Sequence, residues 1–282
     1  RLIHSKDPAR ITAGPLIGTA YHAQCAALMN DFARQLGRTE DADRYARFAR
    51  ELGEAFHRHF FRPAEGWYDN GTATACILPL RFGLVPPAER SRVTARLLDK
   101  LEREAGGHVM NGLVGGQWLM RTLSEAGRAD LAWTIATRET YPSWGHMVRN
   151  GATTIWELWN GDTADPAMNS HNHVMLIGDL LIWLYENLAG IANAPAETGF
   201  RRLRMCSLPV AGCERVRAVY NTMHGRIESE WAHWGDGWTW DVLIPPAAAA
   251  ELWIPADSSD TVQESGRALS CADGVRGMRR VG

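Results

Sequence analysis

Apolar residues recur at intervals of three and four through the first two thirds of the chain and at intervals of two in the last third. From Gly14 to Leu36 the positions Ile17, Tyr21, Cys25, Leu28, Phe32 and Leu36 follow the helical period, and Gly37 supplies a stop. A second helix is expected after Thr39, with Glu40, Asp41 and Asp43 in its first turn, where the helix dipole favours acids, and Tyr45, Phe48, Leu52 and Phe56 leading toward Phe61. Together they predict a helical hairpin. A turn from Pro63 to Gly71 precedes a third helix over about Thr72 to Phe82, and Pro86-Pro87 opens a fourth that uses Val93, Leu97 and Leu101 before Gly106-Gly107. A further pair runs through Trp118, Leu119 and Leu123 to Gly127 and then over about 128–139. The stretch Tyr141 to Asn172, with Pro142, Gly145, Gly151, Gly161 and Pro166, reads as a long irregular loop. Loops of that length in a compact domain usually carry function. A last helix with Ile177, Leu181, Leu184 and Leu188 ends at Gly190.

Successive antiparallel helix pairs, about seven helices in all, predict part of an α/α toroid over residues 1–191. A linker, Ala192 to Gly199, separates it from a second domain over 200–282, where the segments Arg202–Leu208, Arg215–Tyr220, Arg226–Trp231, Trp238–Ile244 and Ala250–Ile254 alternate as strands, with Gly235-Asp236-Gly237 as a hairpin turn. Trp238, Trp240, Val242 and Ile244 share one face. The expected architecture is mainly α with a β domain: a partial toroid followed by a small antiparallel β-sandwich, with one poorly covered strand in the Ser-, Asp- and Gly-rich tail.

Composition narrows the chemistry. Thirty basic against 32 acidic residues give a net charge of −2, which offers no field for holding a nucleic acid. No uncharged apolar run is long enough to span a membrane. The chain starts at Arg1 without a signal-like segment, so either a leader has been removed or the chain belongs to something longer, and its compartment is open. Five scattered cysteines, Cys25, Cys76, Cys206, Cys213 and Cys271, form no C-x-x-C pair, so no disulfide framework or structural zinc is expected; Cys25 and Cys76 read as small buried hydrophobes. Twelve tryptophans fit surfaces that stack on flat faces.

Three of those indoles surround one carboxylate. The blocks Tyr141-Pro142-Ser143-Trp144-Gly145, then Gly151 to Gly161 (Gly-Ala-Thr-Thr-Ile-Trp-Glu-Leu-Trp-Asn-Gly), then Met168-Asn169-Ser170-His171-Asn172-His173 place Glu157 among Trp144, Trp156 and Trp159. Sugar hydrolysis needs such a set, because indoles cover pyranose faces while a carboxylate attacks, protonates or activates water. The competing structural assignment packs Trp156 and Trp159 in the core and pairs Glu157 with an arginine. His171 and His173 beside Glu157 have metal-ligand residue types without metal-ligand spacing, so sugar binding is preferred and no metal is expected. Asp69 in Tyr68-Asp69-Asn70-Gly71 reads first as a turn residue, His108 as a cap or a sugar contact, and Trp231, Trp234, Trp238, Trp240 and Trp253 as core and cross-strand pairs before a carbohydrate platform.

The Gly151–Trp159 and Met168–His173 blocks resemble the signature of the α-L-rhamnosidases of glycoside hydrolase family 78. Leu16–Tyr21, Trp67–Thr74, Gly107–Gly115 and Asp179–Ile191 are similar to that family's barrel, and Gly199–Ala256 to its C-terminal β-sandwich, so the resemblance covers nearly the whole chain. It implies an (α/α)6 barrel and inverting hydrolysis of terminal α-L-rhamnose from glycosides or polysaccharides, by a glutamate acid and a glutamate base, without a cofactor. Glu157 matches the base and His173 the motif histidine that binds sugar hydroxyls, with Trp144 and Trp156 as pocket walls. Inversion sets the two carboxyl groups roughly 6.5–9.5 Å apart, leaving room for a water. The Cys-Pro-x-Arg-Asp-Glu type of stretch that carries the family's acid is not found in this sequence, and His171 stands where an aromatic is usual. The resemblance therefore implies the C-terminal part of a longer enzyme, with about seven of twelve barrel helices. By itself that part is expected to be inactive, and aggregation-prone or dimeric through inner helix faces left bare. Two rival functions are another toroidal carbohydrate enzyme and a non-catalytic sugar-binding fragment.

Overall fold

A computed structural model describes residues 11–279 apart from 196, 235–236 and 257. It divides at Trp183/Leu184 into two compact units.

The first unit is built from helical hairpins. Helix α1 (Gly14–Gln35) packs on α2 (Thr39–Phe60), α3 (Ala73–Arg81) on α4 (Pro87–Asp99), and α6 (Leu119–Glu125) on α7 (Ala129–Thr137). The stops read from sequence work as hydrogen-bonded caps. After α1, Gly37 takes φ +68°, its N–H donates to the Arg34 carbonyl at 3.1 Å, and the Arg38 N–H reaches the Ala33 carbonyl at 2.8 Å. Gly127 closes α6 in the same way. Thr72 caps α3, its hydroxyl accepting from the Ala75 N–H, and every residue from Ala73 to Leu80 is buried. Pro87 opens α4, which runs on through a π-helical turn, Lys100–Glu104, with Val93, Leu97 and Leu101 buried. Between α2 and α3 the pair β1 (Phe61–Arg62) and β2 (Trp67–Tyr68) buries Tyr68, whose hydroxyl meets His57 Nδ1 at 2.8 Å.

Helix α1 corrects the sequence analysis. Its buried residues are Leu16, Ala20, Ala23, Ala26 and Ala33, while Cys25, Leu28, Phe32 and Leu36, expected to face the core, are exposed. Small side chains win because a hairpin of long helices needs close backbone approach, and alanine permits it. Cys76 is buried as expected, and burial pushes its thiol up to about 11. A second correction falls in the long loop, which contains short helices: α5 (Leu113–Gly116) precedes it and α8 (Trp144–Arg149) lies within it. The last helix is α9 (Leu180–Trp183), continued by a π-helical turn, Leu184–Leu188. No helix among the described residues is long and apolar enough to cross a membrane.

The second unit holds two three-stranded sheets. One has the order β3 (Ile191–Asn193), β4 (Arg202–Met205), β8 (Ala249–Leu252); the other is the meander β5 (Arg215–Thr222), β6 (Gly225–Trp234), β7 (Gly237–Leu243). Ile191, Leu203 and Met205 from the first and Ile227 from the second form a core, with Trp240, Val242 and Ile244 packed against it. That is the face assigned by alternation. The predicted turn at Gly235-Asp236 lies outside the described residues. Two details differ from expectation: the supposed linker begins as strand β3, and β4 pairs with β8 in parallel, Leu203 opposite Ala250, among otherwise antiparallel ladders. In the tail, β9 (Gln263–Glu264) and β10 (Arg267–Ala268) make a short exposed hairpin.

Candidate active site

The site forms in the first unit, between α8 and the segment before α9. The buried Ser143 starts α8 by accepting a hydrogen bond from the His146 N–H at 2.9 Å. This cap turns Trp144 inward, where its Nε1 donates to the Leu176 carbonyl at 3.1 Å and its ring meets Trp159 edge to face at 5.5 Å. Gly151, at φ +83°, ends α8 and releases the chain into the Glu157 segment.

That segment is held by a ladder of long-range hydrogen bonds. His173 N–H donates to the Ile155 carbonyl at 2.7 Å, Glu157 N–H to the Ser170 carbonyl at 2.8 Å, and Leu158 N–H to Asn169 Oδ1 at 3.1 Å. Ser170 N–H closes the clamp on the Glu157 carboxylate, reaching Oε2 at 2.9 Å. Among the described residues Oε1 takes no hydrogen bond, and the side chain is 36% exposed. The carboxylate is thus aimed by one oxygen and open at the other. His173 Nδ1 stands 3.9 Å from Oε2, close enough to share a ligand with it and too far for a hydrogen bond.

Trp156 and Trp159, on either side of Glu157 in sequence, are buried, as is Trp144. Gly161 lies flat on Trp156: a Cβ there would sit 2.7 Å from the ring. His171 tilts over the same indole with ring centroids 5.8 Å apart, taking up the place where the family pattern has an aromatic. The structure brings His173 beside Glu157, packs Trp144 on Trp159, and sets Trp156 against His171 and Gly161. Part of the competing structural assignment also holds, since Trp156 and Trp159 are buried; Glu157, however, has His173 as its ion-pair neighbour among the described residues.

Three groups escaped the sequence analysis. His146 Nδ1 accepts from Asn150 Nδ2 at 3.2 Å, so its other nitrogen is the one that faces Asp162 Oδ1, at 3.5 Å, linking α8 to the loop after Trp159. Asn169, besides holding Leu158, keeps a buried Nδ2 without a hydrogen-bond partner. Asp179 is fully buried and accepts from the N–H groups of Met120 and Arg121 and from Arg121 Nε, capping α6 behind the site; burial raises its carboxyl above the usual carboxylate range, against these donors. A His four residues before an Asn was a local signal that could have been read. The Asp162 and Asp179 contacts are products of chain reversal with no such signal.

The remaining candidates take structural positions. Asp69 sits in the turn at φ +52°, a backbone state that Asp tolerates. His108 bridges the Ala105 carbonyl and the Thr140 hydroxyl. Trp231 is fully buried with Nε1 on the Leu188 carbonyl, and Trp240 lies opposite it with Nε1 on Ser229 Oγ. Among the described residues no group of three or more His, Cys, Asp or Glu side chains is placed to hold a metal ion.

Residues 2–188 match the bacterial α-L-rhamnosidase six-hairpin glycosidase domain, and residues 190–269 match the bacterial α-L-rhamnosidase C-terminal domain. The chain belongs to the bacterial α-L-rhamnosidase family. It is 33% identical over 257 residues to an α-L-rhamnosidase of Formosa agariphila, covering 89% of this chain and 27% of that protein. With one of Streptomyces avermitilis it shares 33% over 259 residues, covering 90% and 24%. The crystal structure of the Streptomyces avermitilis α-L-rhamnosidase complexed with L-rhamnose superposes with a TM-score of 0.82 at 31% identity, over 91% of this chain and 26% of that one. The α-L-rhamnosidase from Dictyoglumus thermophilum gives 0.83 at 27% identity, over 92% and 29%. This rhamnosidase-family chain thus spans about a quarter of the length of the relatives it matches.

Proposed function

We propose that this chain forms the general-base half of an α-L-rhamnoside-hydrolysing site, with Glu157 as the base and terminal α-L-rhamnose as the sugar. The observation that carries the reading is the Glu157 carboxylate, fixed through Oε2 by the Ser170 N–H and open at Oε1, in a segment whose flanking indoles Trp156 and Trp159 are buried. In inverting hydrolysis the base takes a proton from water as that water attacks the anomeric carbon, while a separate carboxylic acid protonates the leaving oxygen. An aimed, half-exposed carboxylate meets the first requirement; Oε1 is the proton acceptor. His173 donates to sugar hydroxyls beside it, and Trp144 and Trp156 brace the wall of the pocket, with Gly161 and His171 over Trp156. The rhamnose-bound Streptomyces avermitilis relative supports the choice of sugar. Residues 1–191 supply the site and residues 200–282 act as the C-terminal accessory domain.

The second step is assigned to no residue here, so binding and chemistry are tested separately. This chain is expected to bind L-rhamnose in preference to D-glucose and D-mannose, read from tryptophan fluorescence; equal response to all three favours a general sugar-binding role or another toroidal carbohydrate enzyme. For chemistry, the chain is exchanged for the matching quarter of the Streptomyces avermitilis enzyme. The exchanged enzyme is expected to release β-rhamnose first from 4-nitrophenyl α-L-rhamnopyranoside.

A further inference from the structure

The Glu157 carboxylate is aimed by a backbone N–H, and a backbone N–H keeps its direction only while its peptide plane is held. The Ser170 N–H, 2.9 Å from Oε2, belongs to the peptide that joins Asn169 to Ser170. Both sides of that peptide are tied to the Glu157 segment. On one side the Ser170 carbonyl accepts from the Glu157 N–H at 2.8 Å; on the other, Asn169 Oδ1 accepts from the Leu158 N–H at 3.1 Å. Beyond them the Ser170 hydroxyl turns the chain by accepting from the Asn172 N–H at 3.2 Å, and the His173 N–H returns to the Ile155 carbonyl. In this ladder Asn169 supplies from its side chain the acceptor that a strand would offer from its backbone.

The residue type at this position matters. Oδ1 serves the ladder, while Asn169 Nδ2 is buried with no hydrogen-bond partner among the described residues. An unmet buried donor costs about 1–3 kcal/mol, and Asp would remove that cost with the same reach and the same acceptor. Asp would also put a second negative charge one residue from the N–H that holds Glu157, and a like charge that close disfavours an ionised carboxylate. A loop that merely needs tying gains nothing from the amide. A carboxylate that must be ionised to accept a proton gains a neutral support.

We propose that Asn169 is a positioning residue of this site: its Oδ1, through the Leu158 N–H, sets the peptide whose N–H aims Glu157, and its neutrality leaves the negative charge to Glu157. The catalytic consequence rests on Glu157 being the base; the geometric role does not, and the two are measured apart.

The geometry is read in the chain itself. Asn169–Ser170 is the only Asn–Ser step in the sequence, so carbonyl-13C asparagine combined with 15N serine singles out the Ser170 amide by NMR. A proton donated to a carboxylate moves downfield as that carboxylate ionises, and Glu157→Gln identifies the carboxylate by abolishing the movement. Asn169→Ala, labelled at its own carbonyl, loses half of the movement or more. Asn169→Asp keeps the acceptor and so retains the movement, displaced to higher pH by the added charge. Circular dichroism checks that both variants fold. The chemistry is read in the exchanged enzyme, where Asn169→Ala lowers kcat about tenfold or more while KM stays within about twofold, the split expected of a misaimed base and not of a lost sugar contact. A Ser170 amide that ignores pH overturns the positioning role, as does a full response in Asn169→Ala or an equal loss in the Asp and Ala variants. Turnover that survives Glu157→Gln contradicts instead the assignment of Glu157 as base, and the Ser170 amide still decides the role of Asn169.

Discussion

Two regions of this chain set carboxylates next to tryptophans in sequence, and they leave those carboxylates in different states. On the meander, Glu228 and Glu230 lie on β6 beside Trp231 and opposite the Trp238–Trp240 strand. Arg217 Nη2 and Arg226 Nε hold Glu228 at 3.2 and 2.6 Å, while Arg215 and Arg217 hold Glu230. In the loop after α8, Glu157 meets a backbone N–H and a histidine at 3.9 Å. The difference lies in the cations: exposed arginines on β5 and on β6 itself make a surface ladder worth little energetically, whereas a single N–H aims Glu157 and leaves an oxygen for a proton.

The largest effect should come from the carboxylate itself. In the exchanged enzyme Glu157→Gln is expected to lower rhamnoside turnover by about 100-fold or more, while Glu230→Gln leaves turnover within about twofold. Equal losses would erase the distinction between the two regions. Next is the scaffold behind the site. Asp179→Asn keeps one acceptor where Asp offers two, stranding a buried N–H of α6, and should cost about 1–3 kcal/mol in urea unfolding.

The same variant tests a pH dependence. Burial holds the Asp179 carboxyl above its unfolded value, so the native state binds the proton more tightly. Its contribution to stability therefore falls as pH rises from the unfolded carboxylate value through the native one. Asp179→Asn should flatten that fall, measured as unfolding midpoints from pH 4 to 8. A smaller loss is expected for Gly161→Ala, whose Cβ would press on Trp156 from 2.7 Å: about 1–3 kcal/mol if the indole stays, less if it shifts, with rhamnose affinity falling alongside. Smallest of all is Glu230→Gln on the meander, within about 0.5 kcal/mol of wild-type stability, because both partners are largely solvent-screened.

Much of the fold was legible because its signals are local. Gly37, Gly127, Thr72 and Pro87 each act on the residues next to them, and each ends or starts a helix where the pattern placed it. Alternation from Trp238 to Ile244 gave the inward face of β7 because strand pleating leaves it no alternative. What was not legible depends on partners distant in sequence. The α1 stripe was assigned to the core because bulk usually signals burial, yet the hairpin buries alanines. The parallel pairing of β4 with β8 joins segments more than 40 residues apart, and nothing in either strand specifies direction. Helix α8 was hidden by Pro142, Gly145 and Gly151, which read as loop residues while Ser143 supplied the cap.

The candidate site divides in the same way. Glu157, His173 and the tryptophans stood out as a motif, but the Ser170 N–H on the carboxylate, the Asn169 support of Leu158 and the His146–Asp162 link arise only when the loop folds back. The Ser170 contact decides which oxygen of Glu157 is free.

The most direct test is binding of L-rhamnose to the chain and to its Glu157→Gln and His173→Ala variants, followed by tryptophan fluorescence. The account predicts saturable binding selective for L-rhamnose over D-glucose and D-mannose, weakened about tenfold or more by His173→Ala and altered by Glu157→Gln, with Glu230→Gln indistinguishable from wild type. Binding that is absent, unselective, or unchanged in both site variants would contradict it.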